Sequence, residues 1–193
     1  MPRSDDVYQL PQNLPVPIND GATDHLRGIA LPEIPLLSTS GEWVSLRQAS
    51  FESRTIVYCY PRTGRPDQEP PPGWNEIPGA RGCTPQACAF RDRRAQLSKW
   101  GVGVFGLSAQ DSAYQQELVQ RLHLPFEVLS DVNYRLTAAM RLPTFDVGEM
   151  RLLKRFTLVL SQGVVEKVFY PVFPPDQNAA EVLRWLAEGS PTR

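Results

Sequence analysis

The chain of 193 residues carries 20 Lys and Arg against 21 Asp and Glu, a formal net charge of -1, with 41% hydrophobic residues. That is apolar content enough for one domain with a full core. The balance of charge excludes a whole-chain field that would draw in nucleic acid or an anionic membrane, and no apolar run approaches the roughly 20 residues of a membrane span.

Residues 1–24 mix Pro, Asp, Asn and Gly with scattered apolar positions and read as an extended N-terminal arm. They lack the apolar core of a secretory leader, so a cytoplasmic location is the simplest expectation. The remainder, 25–193, reads as the folded domain. "LPEIPLLSTSGEWVSLRQ" alternates apolar and polar residues on either side of Ser40-Gly41, which predicts a hairpin. "RTIVYCY", Arg54 to Tyr60, is a continuous apolar run of the kind found in strands buried on both faces.

The next stretch, "PRTGRPDQEPPPGWNEIPGARG", holds Pro61, Pro66, Pro70, Pro71, Pro72 and Pro78. So many fixed φ angles and missing donors exclude both a helix and a central strand. Residues 62–81 are therefore a long Pro-rich loop, and a loop of that length ending at a cysteine pair is expected to be functional. Trp74 inside it is read first as an anchor packed onto the body; a cover over a pocket, selecting bulky or apolar substrates, is the second reading.

Downstream, "PQACAFRDRRAQLSKW" reads as a helix, "VGVFGLSAQ" as a strand, and "DSAYQQELVQRLHL" as a helix capped by its Asp. "PFEVLSD" is a short strand, "NYRLTAAMRL" a helix, and "KRFTLVLSQGVVEKVFY" two strands meeting at Gln162-Gly163. "DQNAAEVLRWLAEG" closes the chain as an amphipathic helix. This alternation predicts an α/β fold with a central mixed sheet flanked by helices on both faces.

Chemistry concentrates in "GCTPQACAFRD", which holds Cys83 and Cys88. Cys83 falls in the first helical turn, where unpaired N–H groups suit a sulfur that carries negative charge, and Pro85 fits that turn because its missing donor is no loss there. Cys83 is the expected nucleophile. Cys88 lies one and a half turns on, and helix geometry separates the two Cα atoms by roughly 9 Å. A disulfide tolerates about 7 Å at most, so joining the pair requires the helix start to unwind. The bland alternative makes Cys88 a small buried hydrophobe and Cys83 an incidental loop residue. No metal is expected, since the three cysteines and the distant His25 and His123 show no ligand spacing. Cys59, in the middle of a buried strand, is expected to be inert.

These residues resemble the peroxiredoxins, specifically the bacterioferritin-comigratory or Q-type group. Tyr60-Pro61 matches the family's strand end and "GCTPQACAFRD" its two-cysteine helix. "GVGVFGLSAQD", "PFEVLSD" and "KRFTLVLSQGVVEKVF" match further family segments in order, over residues 28–188. The resemblance implies a thioredoxin-like fold and thiol-dependent reduction of hydrogen peroxide or organic hydroperoxides. Cys83 takes the peroxidatic position, Cys88 the resolving one, and Arg155 that of the active-site arginine. Pro61 matches the family's proline, but the insertion separates it from Cys83, and Ala80 stands where the family has a threonine. Thr63 or Thr84 would supply the missing hydroxyl, while backbone amides near Gly82 and Cys83 would bind the substrate oxygens. Arg62 and Arg81 are further candidates for positive charge beside the sulfur. The implied cycle runs through a Cys83 sulfenic acid and a Cys83–Cys88 disulfide, reset by thioredoxin or a similar dithiol protein, with no cofactor. A monomer is expected. A redox sensor, whose disulfide switches partner binding, is the second functional reading, and a non-catalytic thioredoxin-like binding module the third.

Overall fold

Strand β3 (Thr55–Cys59) is the axis of the fold, with all five residues buried. It pairs in parallel with β4 (Gly103–Ser108) and antiparallel with β8 (Phe156–Ser161), so that Val57 sits between Phe105 and Leu158. The computed structural model describes residues 6–189. On one side the sheet continues through β5 (Val128–Ser130), β1 (Pro35–Ser38) and β2 (Trp43–Ser45), and on the other through β9 (Val164–Phe169). The strand order is β2-β1-β5-β4-β3-β8-β9.

The two-residue period of β3 divides the core into two layers. Ile56 and Tyr58 face the layer packed by α2 (Cys83–Asp92), α3 (Arg94–Ser98), α4 (Ser112–Leu122) and α6 (Asn178–Glu188). Val57 and Cys59 face the other, packed by α1 (Leu46–Glu52) and α5 (Arg135–Met140). A mixed sheet with helices on both faces is what the alternation of elements predicts. The turn between β8 and β9 uses Gln162 and Gly163, both with positive φ, at the expected place. Asp111 caps α4 by accepting the Tyr114 amide at 2.7 Å.

Three local features depart from the sequence reading. The predicted hairpin ends at Ser45, whose hydroxyl accepts the Gln48 amide and starts α1. A Ser followed three residues later by Gln is a helix-start signature, and here it interrupts the strand pattern. The helix expected over "PQACAFRDRRAQLSKW" breaks at Arg93 into α2 and α3, with neither Gly nor Pro to mark it. A hairpin of β6 (Thr144–Val147) and β7 (Met150–Leu153) turns at Gly148, where no element was predicted. Its side chains Phe145, Met150 and Leu152 pack with Trp74, so the hairpin is the surface on which the Pro-rich loop rests.

Between Cys59 and Cys83 the loop contains only a 3-10 turn at Trp74–Glu76, as the prolines require. Residues 6–24 of the arm lie against the body, with Val7 and Thr23 buried. The arm's first five residues fall outside the described ones. Just beyond the arm, Ala30 bridges to Val164 of β9. No described helix is long and apolar enough to cross a membrane.

Candidate active site

Helix α2 begins at Cys83 itself, with Gly82 as its cap in a left-handed conformation, φ 103°. A side chain at Gly82 would put its Cβ 2.7 Å from both Leu10 Cδ2 and Pro175 Cγ. Glycine is thus required twice, by backbone angle and by space. The amides of Cys83 and Thr84, as the first helical positions, have no intrahelical acceptor and remain available to a ligand.

Arg155 reaches the sulfur because of sheet register. Phe156, the first residue of β8, stands opposite Cys59, the last of β3, so the residue before β8 lies where the loop leaves β3. Arg155 is 3% exposed, and its Nη2 lies 3.1 Å from Cys83 Sγ. The same guanidinium donates to the carbonyls of Gly79 (3.2 Å), Ala80 (3.1 Å) and Arg81 (3.1 Å), and through Nη1 to Gln86 Oε1. Among the described residues no carboxylate pairs with it. The guanidinium's other partners are neutral oxygens, and the sulfur of Cys83 completes its shell.

Gln86 holds the arginine in turn. Its Nε2 donates to Asn178 Oδ1 at 3.0 Å, and the Thr157 hydroxyl donates to the same oxygen at 2.7 Å. Sequence reasoning missed this buried chain of Gln86, Asn178 and Thr157. Gln86 had a signal, since a position three beyond Cys83 shares its helix face. Asn178 and Thr157 arrive from other elements and had none.

A narrow cavity opens on Cys83, itself 4% exposed, and its lining includes Thr63, Gly82 and Thr84. Both candidate threonines therefore line the sulfur's cavity. Thr63 is held by Gln110, whose Oε1 accepts its amide at 2.8 Å and its hydroxyl at 3.1 Å, and by Tyr114, which donates to its carbonyl at 3.1 Å. Pro61 is buried but does not line the cavity. Of the other candidate cations, Arg81 donates to the carbonyls of Asp6 and Gln9 in the arm, and Arg62 stacks over Tyr114.

Cys88 is half-buried and opens on a different groove, beside Tyr8, Leu10 and Asp176. Burial pushes its thiol above the ordinary range. The three cysteines are all free. Cys59 is fully buried and its thiol is pushed well up by loss of solvent, as suits an inert core residue.

Comparison with known proteins places this arrangement. The redoxin family model matches residues 26–183. Peroxiredoxin Q of Oryza sativa subsp. japonica, a chloroplastic protein, is 34% identical over 162 residues, which cover 83% of this chain and 66% of that one. Peroxiredoxin Q of Gentiana triflora is 30% identical over 187 residues, covering 93% and 77%. The chain belongs to the redoxin family, in its Q-type peroxiredoxin group. The match spans just under two thirds of the rice protein's length. Among solved peroxiredoxins, peroxidoxin BcpB from Mycobacterium tuberculosis superposes with a TM-score of 0.69 at 19% identity, covering 86% of this chain and all (100%) of that one. Peroxiredoxin Q from Xanthomonas campestris gives 0.66 at 21% identity, covering 85% and 96%. These peroxiredoxin neighbours establish the thioredoxin-like fold that the sequence resemblance implied.

Proposed function

We propose that the protein is a two-cysteine thiol peroxidase that reduces hydroperoxides at Cys83. The observation that carries this reading is Arg155 Nη2 at 3.1 Å from Cys83 Sγ, a buried cation set directly against the sulfur. The Cys83 thiolate attacks the terminal peroxide oxygen. An S–O bond forms as the O–O bond breaks, the sulfur is oxidised by two electrons to a sulfenic acid, and the departing oxygen takes a proton to leave as water or an alcohol. Arg155 and the amides of Cys83 and Thr84 are placed to hold the peroxide oxygens as charge moves onto them. Thr63, its hydroxyl proton directed at Gln110, can accept a hydrogen bond from the peroxide. Thr63 on the cavity wall stands in for the threonine that Ala80 replaces, which favours an enzyme over the sensor reading.

Cys88 is the proposed resolving thiol. It faces another groove and its Cα sits about 9 Å from that of Cys83, so condensation with the sulfenic acid requires the first turns of α2 to unwind. Unwinding also removes the burial that holds its thiol up. The reductant is a dithiol protein of the thioredoxin kind, which attacks the exposed disulfide.

The experiment is peroxide consumption with thioredoxin, thioredoxin reductase and NADPH, for wild type, Cys83→Ser and Cys88→Ser. Cys83→Ser is expected to be inactive. Cys88→Ser is expected to be oxidised once, to a trappable sulfenic acid, and not to recycle with thioredoxin. Sustained turnover by Cys83→Ser would end the proposal.

A further inference from the structure

Two half-buried arginines stand on the wall of the Cys83 cleft. Arg62 and Arg65 flank Thr63 and Gly64, and their guanidiniums lie over one ring, 5.2 and 4.6 Å from the Tyr114 centroid. Stacking on a ring face leaves the N–H donors of the planar fork available at its edge. Among the described residues no carboxylate pairs with either arginine. Arg62 donates through Nη1 to a weak acceptor, Met150 Sδ, at 3.8 Å, and Arg65 Nε is buried without an acceptor.

The segment that carries them is fixed. Gln110 and Tyr114 hold Thr63, and the Gly64 carbonyl accepts Arg121 Nη2 at 3.3 Å. Two like charges are thus held against one ring, a repulsion that a bound anion turns into attraction. Glu69 also lines the cleft but is joined to neither arginine, and Arg81 is committed to carbonyls of the arm. Arg155 makes the contact with the sulfur. The cations therefore divide: Arg155 lies at the reacting atoms, and Arg62 and Arg65 are left for a charge elsewhere on the substrate.

Resting on the peroxidase reading above, we propose that Arg62 and Arg65 form an anion subsite in the Cys83 cleft, and that the substrates it favours are hydroperoxides bearing a carboxylate. The two forks hold the carboxylate while the terminal peroxide oxygen meets the sulfur. The chemistry at Cys83 is unchanged: the S–O bond forms, the O–O bond breaks, and the departing oxygen takes a proton, giving an alcohol that keeps its carboxylate. A second negative charge beside the thiolate would otherwise slow the approach, and the arginines offset that repulsion.

The test is the second-order rate of Cys83 oxidation, followed by stopped-flow tryptophan fluorescence with Trp74 on the cleft wall as reporter. The two probes are cumene hydroperoxide and the same molecule carrying a para-carboxylate, each rate divided by that of the probe with dithiothreitol to remove intrinsic reactivity. At low salt, wild type is expected to favour the carboxylate by about tenfold or more, the lower end of the roughly 10–10³ by which charged clefts raise association rates. Added salt should shrink that preference. In Arg62→Gln/Arg65→Gln the ratio is expected to fall toward one, and if the double variant fails to fold, Arg65→Gln alone decides. A wild-type ratio of one or less overturns the anion subsite. So does a ratio that the folded variants leave unchanged. A wild type that reacts with both probes no faster than a free thiol, or no faster than Cys83→Ser, instead overturns the peroxidase reading beneath it.

Discussion

Arg155 Nη2 and Cys83 Sγ lie 3.1 Å apart, 72 residues from each other in the chain. The contact exists because Phe156 pairs with Cys59 across the antiparallel β8–β3 ladder. One side chain thereby ties the sulfur to the carbonyls of Gly79, Ala80 and Arg81. The end of the Pro-rich loop and the start of α2 thus share a single buried donor.

Arg155→Lys follows from that geometry. A lysine ammonium cannot span a set of acceptors arranged around a planar fork. The rate of peroxide reaction should fall by about 10²–10³-fold, the usual effect of losing one preorganised donor. Stability should also fall by about 1–3 kcal/mol for carbonyls left unpaired. Stopped-flow rates and urea titrations measure the two separately; an unchanged rate would remove Arg155 from the site.

Gln86→Glu changes one buried amide for a carboxylate of the same shape beside Arg155. The new charge competes with Cys83 for the guanidinium, so the peroxide rate should fall by about tenfold, equivalent to about 1.4 kcal/mol at the barrier. Gln86→Ala adds no charge but leaves Arg155 Nη1 without this acceptor and costs about 1–3 kcal/mol of stability. A larger rate loss in Gln86→Ala than in Gln86→Glu would contradict the competition.

Gly82→Ala places a methyl group where Leu10 and the Pro175 ring already stand. Leu10 can rotate away, but the proline ring is rigid, and the backbone keeps a positive φ that alanine resists. A loss of about 1–3 kcal/mol is expected in denaturant titrations, with a slower peroxide reaction because the first turn of α2 shifts. Wild-type stability and rate together would show that the helix start tolerates displacement.

Asp20 supplies a pH-dependent anchor for the arm. Hydrogen bonds from Lys154 and Tyr170, the latter at 2.7 Å, hold its carboxyl down at about 2 against the usual 3.8. A depressed carboxylate contributes stability above its unfolded value, and the contribution is lost as pH falls through the folded one. The pair is partly exposed to solvent, so Asp20→Asn should cost only about 0.5 kcal/mol at neutral pH. The gap between variant and wild type should close between pH 4 and pH 2. Urea midpoints at three pH values check this, and a gap constant to pH 2 would refute it.

Sequence alone established the features that local rules govern. The apolar run of β3, the prolines of 62–81 and the Gly-Cys-Thr-Pro helix start are each written in neighbouring residues, because dihedral limits and periodicity act over a few positions. Local signals also misled where two met, as at Ser45, where a helix cap ended a strand pattern. Tertiary structure decided which arginine meets the sulfur, since Arg62, Arg81 and Arg155 were all open by composition and only sheet register separates them. It decided that Thr63 reaches the cavity across the insertion, that Asn178 and Thr157 brace Gln86, and that Trp74 is anchored on the β6–β7 hairpin. Contacts between distant residues depend on strand pairing and layer packing, which no single stretch of chain encodes.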